Sequence, residues 1–223
     1  MGKTVSDILV STTIRGFCCL GGRPLPQETV DTVDVKLIVW LEDVYSNTSN
    51  LTNNYFDIIW SPTANENGTY IIVSYTGTVD AQILFSTDGS SWGSVVTTTD
   101  YDWTSGVWSP ELNLFCVVAQ RGTGKRVMTS PDGIKWTSRV TPVDNDWMSV
   151  AWSPTANGTG LFAAVSQTGT GTRVMTSPDG ITWTSRTTPV DNDWMKVIWD
   201  SDKTLFYAVA QSGTNNRSMS SPD

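Results

Sequence analysis

Between residues 147 and 193 the hydrophobic and polar positions follow a strand-and-turn rhythm. "WMSVAW" (147–152) alternates large and small side chains, the period-two pattern of a strand with two distinct faces. "LFAAVSQ" (161–167) is a short apolar run suited to a strand buried on both sides, and "RVMTS" (173–177) and "ITWTSR" (181–186) supply two more short segments. Between them stand "SPTANGTG" (153–160), "TGTGT" (168–172) and "PDG" (178–180), and "TTPVDND" (187–193) leads onward. Gly, Pro, Asn and Asp at each junction are the residues that tight turns require. The pattern predicts four short antiparallel strands in about forty residues.

The same pattern recurs along the chain. "MTSPDGIKWTSR" (128–139) returns as "MTSPDGITWTSR" (175–186); "STDGSSW" (86–92) is a looser copy, and "SSPD" (220–223) begins a fourth. Their aspartates, Asp88, Asp132, Asp179 and Asp223, are 44, 47 and 44 residues apart. A second marker keeps step: Tyr55 and Trp60, Trp103 and Trp108, Trp147 and Trp152, Trp194 and Trp199. A single four-stranded sheet cannot bury its own faces, so copies at this period must stack around an axis. The expected fold is therefore all-β: a β-propeller of four-stranded antiparallel blades over residues 49–223, with the last blade incomplete.

Composition narrows the function. Only 16% of the residues are charged and the net charge is −8, which argues against a nucleic-acid surface, because phosphate contacts need clustered Lys and Arg. No apolar run approaches membrane-spanning length. Cys18 and Cys19 are adjacent and Cys116 is remote, so there is neither a disulfide framework nor a CxxC metal spacing. Asp7 interrupts the basic-then-apolar layout of a signal peptide.

The motif S-x-D-G-x-x-W, carried by Asp88, Gly89 and Trp92, by Asp132, Gly133 and Trp136, and by Asp179, Gly180 and Trp183, resembles the Asp-box (BNR) repeat of sialidases, sortilin-like receptors and secreted or viral propellers. The boxes here have one residue fewer between Asp and Gly than the commonest form. The resemblance implies a hairpin between the third and fourth strands of each blade. Its Asp would hold turn amides and its Trp would plug the seam to the next blade. It also implies that boxes lie opposite the face where sialidases work.

The catalytic set of those enzymes is not legible. Arg126, Arg173 and Arg217 each precede a box Asp by six residues, and Arg139 and Arg186 form a second periodic set. Arginines that recur with the repeat read as scaffold rather than as one asymmetric carboxylate-binding triad. None of the four glutamates (Glu28, Glu42, Glu66, Glu111) sits in a repeated loop beside a tyrosine, and histidine is absent, which excludes Ser–His and Cys–His nucleophiles and His-based metal sites. "GTGK" (122–125) lacks the upstream Gly and the following Ser/Thr of a phosphate loop. The expectation is a protein that is not an enzyme, without cofactor or metal.

One repeated feature has chemistry to offer. Asp100 and Asp102, Asp144 and Asp146, and Asp191 and Asp193 stand just before successive innermost strands. They open on the same propeller face as the loops holding Arg126, Arg173 and Arg217. Turn capping with Asp–Arg pairing is one reading, and a polar ring for a sugar, cation or partner protein is the other.

Residues 1–48 lack the repeat. Thr4 and Asp7 have capping-box spacing before an apolar stretch and a Gly-Gly stop, which reads as a helix; a second would open at Pro26. The layout "TVSDIL…G…P…E…D…L…L" resembles the N-terminal helical hairpin of head-to-tail adaptor proteins in short-tailed phages. The Val-rich "VKLIVW" (35–40) departs from it and reads alternatively as a strand that closes a four-bladed ring. These features together suggest a non-enzymatic virion component, made in the host cytoplasm. It would meet other virion proteins through residues 1–48, in an oligomeric ring or spike, and a host glycan or surface protein through the propeller. A carbohydrate-binding lectin is the alternative, and a glycoside hydrolase, which needs positioned carboxylates, stands third.

Overall fold

The computed structural model describes residues 54–75, 82–95 and 101–223. All belong to one compact unit, Leu41–Asp223. The helix, strand and adaptor readings of residues 1–48 lie outside the described residues, as does Asp100.

The fold is all-β, and the four repeats are four antiparallel sheets. Blade 1 contains β1 (Tyr55–Ser61), β2 (Thr69–Ser74), β3 (Ile83–Ser86) and β4 (Gly93–Val95). Blade 2 contains β5 (Trp103–Ser109), β6 (Leu114–Ala119), β7 (Val127–Ser130) and β8 (Thr137–Arg139). Blade 3 contains β9 (Trp147–Ser153), β10 (Leu161–Ser166), β11 (Val174–Ser177) and β12 (Thr184–Arg186). Among the described residues blade 4 has three strands, β13 (Trp194–Asp200), β14 (Leu205–Ala210) and β15 (Ser218–Ser221). Strand order follows sequence order in every sheet, and each first strand carries a bulge one residue after its leading aromatic (Tyr55, Trp103, Trp147 or Trp194). The first strands pack in series, β1 on β5, β5 on β9 and β9 on β13, as the inner strands of a propeller do.

Burial explains why the sheets stack. On β6, Phe115, Val117 and Ala119 face blade 1, while Cys116 and Val118 face blade 3, so the strand is apolar throughout. The core is accordingly three seams. Ile59, Ile71 and Val73 meet Trp108, Phe115 and Met128 in the first, and Cys116, Val118 and Val127 meet Trp152, Phe162 and Trp183 in the second. Ala163 and Val165 meet Val197, Phe206 and Ala208 in the third. The outward faces of blades 1 and 4 have no neighbouring blade among the described residues, and Ile58, Trp60, Ile198 and Val209 are exposed there.

Polar rungs tie the inner strands together. Asp57 Oδ2 accepts from Ser105 Oγ (3.0 Å) and Gly106 N (3.1 Å) in the next blade. Ser149 Oγ accepts from Val197 N (3.2 Å) in the same manner.

Candidate functional site

Antiparallel order puts the turns after strands one and three at one end of each blade. The loops before strand one and after strand two lie at the other. The D-G-x-x-W turns therefore occupy one end and the Asp-Asn-Asp segments the opposite end.

At the first end the three complete turns share one geometry. Asp132 Oδ1 accepts from Ile134 N and Lys135 N, both at 2.8 Å, and from Ser130 Oγ at 3.0 Å. Ser130 Oγ in turn accepts from Gly133 N (2.8 Å), and the indole of Trp136 donates to Gly133 O (2.9 Å). Asp179 repeats the set with Ile181 N (2.8 Å), Thr182 N (2.7 Å) and Ser177 Oγ (2.9 Å), and Trp183 donates to Gly180 O (3.1 Å). Asp88 holds Ser90 N (2.8 Å) and Ser91 N (2.7 Å). Gly89, Gly133 and Gly180 have φ of 72°, 75° and 71°, a conformation that favours glycine. Burial raises the Asp132 and Asp179 carboxyls, but the bonds from turn amides and serines outweigh it and hold both below the ordinary carboxylate range. Asp88 is held low by the Ser91 and Ser90 amides. At Asp223, Ser221 Oγ bonds the carbonyl (2.7 Å) and the carboxylate (3.2 Å).

The box tryptophans do fill seams, but on the side of the preceding blade, which corrects the expected direction. Trp183 lies in the seam between blades 2 and 3, its ring 6.2 Å from Phe162, and Phe162 lies 4.5 Å from Trp152. Trp136, Phe115 and Trp108 form the matching triplet one seam earlier, and Trp92 stands 6.4 Å from Tyr70 in blade 1. The turns themselves seat on that preceding blade: a methyl group at Gly133 would collide with Ile71, and one at Gly180 would come within 3.0 Å of Leu114. Asn65 Nδ2 of blade 1 also donates to Asp132 O (3.0 Å).

At the opposite end the Asp-Asn-Asp segments clasp two blades at once. Arg126, in the loop after β6, donates from Nε to Gly122 O (2.9 Å) and from Nη1 to Gln120 O (2.7 Å) and Asp146 Oδ1 (2.8 Å). Asp144 Oδ1 accepts from Gly124 N (2.7 Å). Both aspartates lead into blade 3, yet both hold the loop of blade 2. Asn145 between them turns to its own blade and donates to Thr172 O (2.7 Å). One repeat later Arg173 binds Gly169 O (2.8 Å), Gln167 O (2.7 Å) and Asp193 Oδ1 (2.9 Å), Asp191 accepts from Gly171 N (2.8 Å), and Asn192 reaches Asn216 O (2.7 Å).

The remaining candidates depart from this pattern. Arg217 donates to Gly213 O (2.6 Å), and no carboxylate pairs with it among the described residues. Asp102 pairs with Arg121 of its own blade (3.1 Å) rather than with an arginine of blade 1, where Gln82 occupies the equivalent position and accepts from Tyr101 N (3.3 Å). Sequence reasoning did not assign the roles of Arg121, Asn145, Asn192, the turn serines, or Glu111, which accepts from the indole of Trp152 (2.7 Å). The serines and asparagines do recur with the repeat; Arg121 and Glu111 do not, and carry no periodic signal.

Chemically, this end offers clasped ion pairs. Among the described residues no group of three or more His, Cys, Asp or Glu side chains could hold a metal ion, and no helix is long and apolar enough to cross a membrane. Cys116 is fully buried in a seam, and burial pushes its thiol well above the ordinary range, which suits a packing role.

No protein-family model matches the chain, and no curated protein matches it. Solved structures do. A GH74 enzyme from Niastella koreensis aligns with a TM-score of 0.57 and 17% identity over 70% of this chain. YCF48 from Cyanidioschyzon merolae aligns with a TM-score of 0.46 and 16% identity over 71%. The chain spans 26% of the first and 49% of the second. The GH74 enzyme is a β-propeller, and its likeness, together with the four antiparallel sheets, shows that fold here.

Proposed function

We propose that this chain is a non-catalytic Asp-box β-propeller serving as a structural, partner-binding module of a virion. The observation that carries the non-catalytic reading is the use made of the repeated charges. Arg126, Arg173 and their four aspartates are engaged with neighbouring loops, so the residues best suited to substrate chemistry hold the scaffold. The Asp-box assignment rests on the motif together with the Asp-to-amide bonds at Asp88, Asp132 and Asp179. The virion reading rests on near-identical tandem blades and on the resemblance of residues 1–45 to phage adaptors. In this reading residues 1–48 meet other virion proteins, and the exposed loops meet a host glycan or surface protein.

Two measurements test it. The purified chain should not turn over fluorogenic glycosides, and turnover abolished by a carboxylate substitution would sink the non-catalytic reading. An antibody to the propeller should label intact particles purified from the host. Particles free of the chain by mass spectrometry would sink the virion reading.

A further inference from the structure

The two ends of the blades carry opposite charge. At the end with the D-G-x-x-W turns, the turns after the first strands hold Glu66, Glu111 and Asp202, and the D-G-x-x-W turns hold Asp88, Asp132 and Asp179. Among the described residues only Lys135 and Lys203 oppose them there. Asp88, Asp132 and Asp179 stay ionised because turn amides bind their carboxylates. At the opposite end each clasp sets one arginine, Arg126 or Arg173, against two aspartates, and Arg121 pairs with Asp102. Lys125, Arg139, Arg186 and Arg217 stand at that end as well and outnumber the aspartates that the clasps leave over.

Each end also exposes apolar side chains. Ile134 and Ile181 hold the same place in successive D-G-x-x-W turns and are 42% and 49% exposed, with Leu112 at the same end, and Val140 is 69% exposed at the other. None of the four belongs to a seam.

We propose that these ends are the two halves of one interface: a second copy of this chain seats its clasp end on the D-G-x-x-W end of the first. Charge complementarity selects the occupant. Like ends would set carboxylates against carboxylates or cations against cations, whereas unlike ends bring an excess of cations to an excess of carboxylates, which steers the encounter and fixes its polarity. Ile134, Ile181 and Leu112 on one side and Val140 on the other would leave water inside a polar rim, the usual anatomy of a protein interface. The two surfaces differ, so the contact is heterologous and generates a ring or an open stack rather than a two-fold dimer.

Sedimentation velocity on the full chain, across a concentration series, tests the contact. At about 10 mM salt, where charges act over about 30 Å, the chain should self-associate reversibly, and at about 1 M, where their reach is about 3 Å, it should dissociate. Glu66→Lys/Asp202→Lys, at exposed positions, should weaken association about tenfold, and Lys125→Glu/Arg217→Glu should do the same from the other end. An equimolar mixture of the two double variants should recover the association of the parent, because the two reversed ends complement each other. Thermal melts that match the parent establish that both variants fold. A variant that melts early is replaced by its neutral pair, Glu66→Gln/Asp202→Asn or Lys125→Gln/Arg217→Gln, and read the same way without the mixture. A chain that stays monomeric at low salt, association that ignores salt, a mixture without recovery, or loss in one variant alone, as a contact between like ends would give, overturns the proposal.

Discussion

Arg173 and Arg217 occupy the same repeat position in unequal circumstances, and that inequality makes a sharp test of the clasp. In Arg173→Ala two loop carbonyls, Gly169 O and Gln167 O, lose a charged donor, and Asp193 loses its partner. The guanidinium side chain is 14% exposed, so water replaces these bonds only in part. Hydrogen bonds from a charged group contribute about 1.5–3 kcal/mol each, and they share one side chain, so their sum is discounted. Asp193 is 47% exposed, and its ion pair adds no more than about 1 kcal/mol. The expected loss is about 2–4 kcal/mol. Arg126→Ala should cost at least as much, because its partner Asp146 is only 28% exposed. Arg217, exposed and with one carbonyl bond, should lose within about 0.5 kcal/mol on the same substitution. Urea unfolding followed by tryptophan fluorescence reads all three, with an unchanged m value confirming comparable transitions. If Arg217→Ala unfolds as early as Arg173→Ala, or Arg173→Ala unfolds with the parent, the clasp does not stabilise the blades.

Three further outcomes follow from the turns and clasps. Trp183→Ala should cost about 3–5 kcal/mol, and Trp136→Ala less, because Trp183 is buried and Trp136 only half-buried; equal shifts in thermal melts would contradict this. Asp132→Ala and Asp179→Ala should each lose about 1–3 kcal/mol by leaving turn amides unpaired. Asp144→Ala and Asp191→Ala, near-neutral if those groups were free, should instead lose about 1 kcal/mol, because each accepts a backbone N–H of the preceding blade. Acidification should also destabilise the fold. Asp132 and Asp179 titrate below the ordinary range of about 4, so their contribution is complete above it and is lost as the pH falls through their folded values. Melts from pH 6 down to pH 2 should show a smaller acid loss in the Asp132→Asn/Asp179→Asn double variant than in the parent.

Much of the fold was legible because each strand carries its own signal. Alternation in "WMSVAW" and the run "LFAAVSQ" correspond to β9 and β10, with strand limits shifted by a residue. "ITWTSR" was read as one strand, yet only Thr184–Arg186 pairs as β12. Ile181 and Thr182 are held in the turn by Asp179, and Trp183 donates back to Gly180. The loop-face aspartates were legible as a recurring set. Which blade each one holds was not, because sequence spacing gives the distance along the chain and not the side of the seam. The inner rungs were least visible: Ser105 and Ser149 look like ordinary small residues of an alternating strand, and only the stacked backbones reveal their partners.

The two complete Arg–Asp clasps point one way. The loop of blade 2 is fastened by residues that precede blade 3, and the loop of blade 3 by residues that precede blade 4. A chain emerging from the ribosome therefore cannot lock a loop until the following repeat begins to appear. The loops of blades 2 and 3 each wait for the repeat that follows to fasten them. A lesion in one Asp-Asn-Asp segment would loosen the blade made before it as well as the one it introduces.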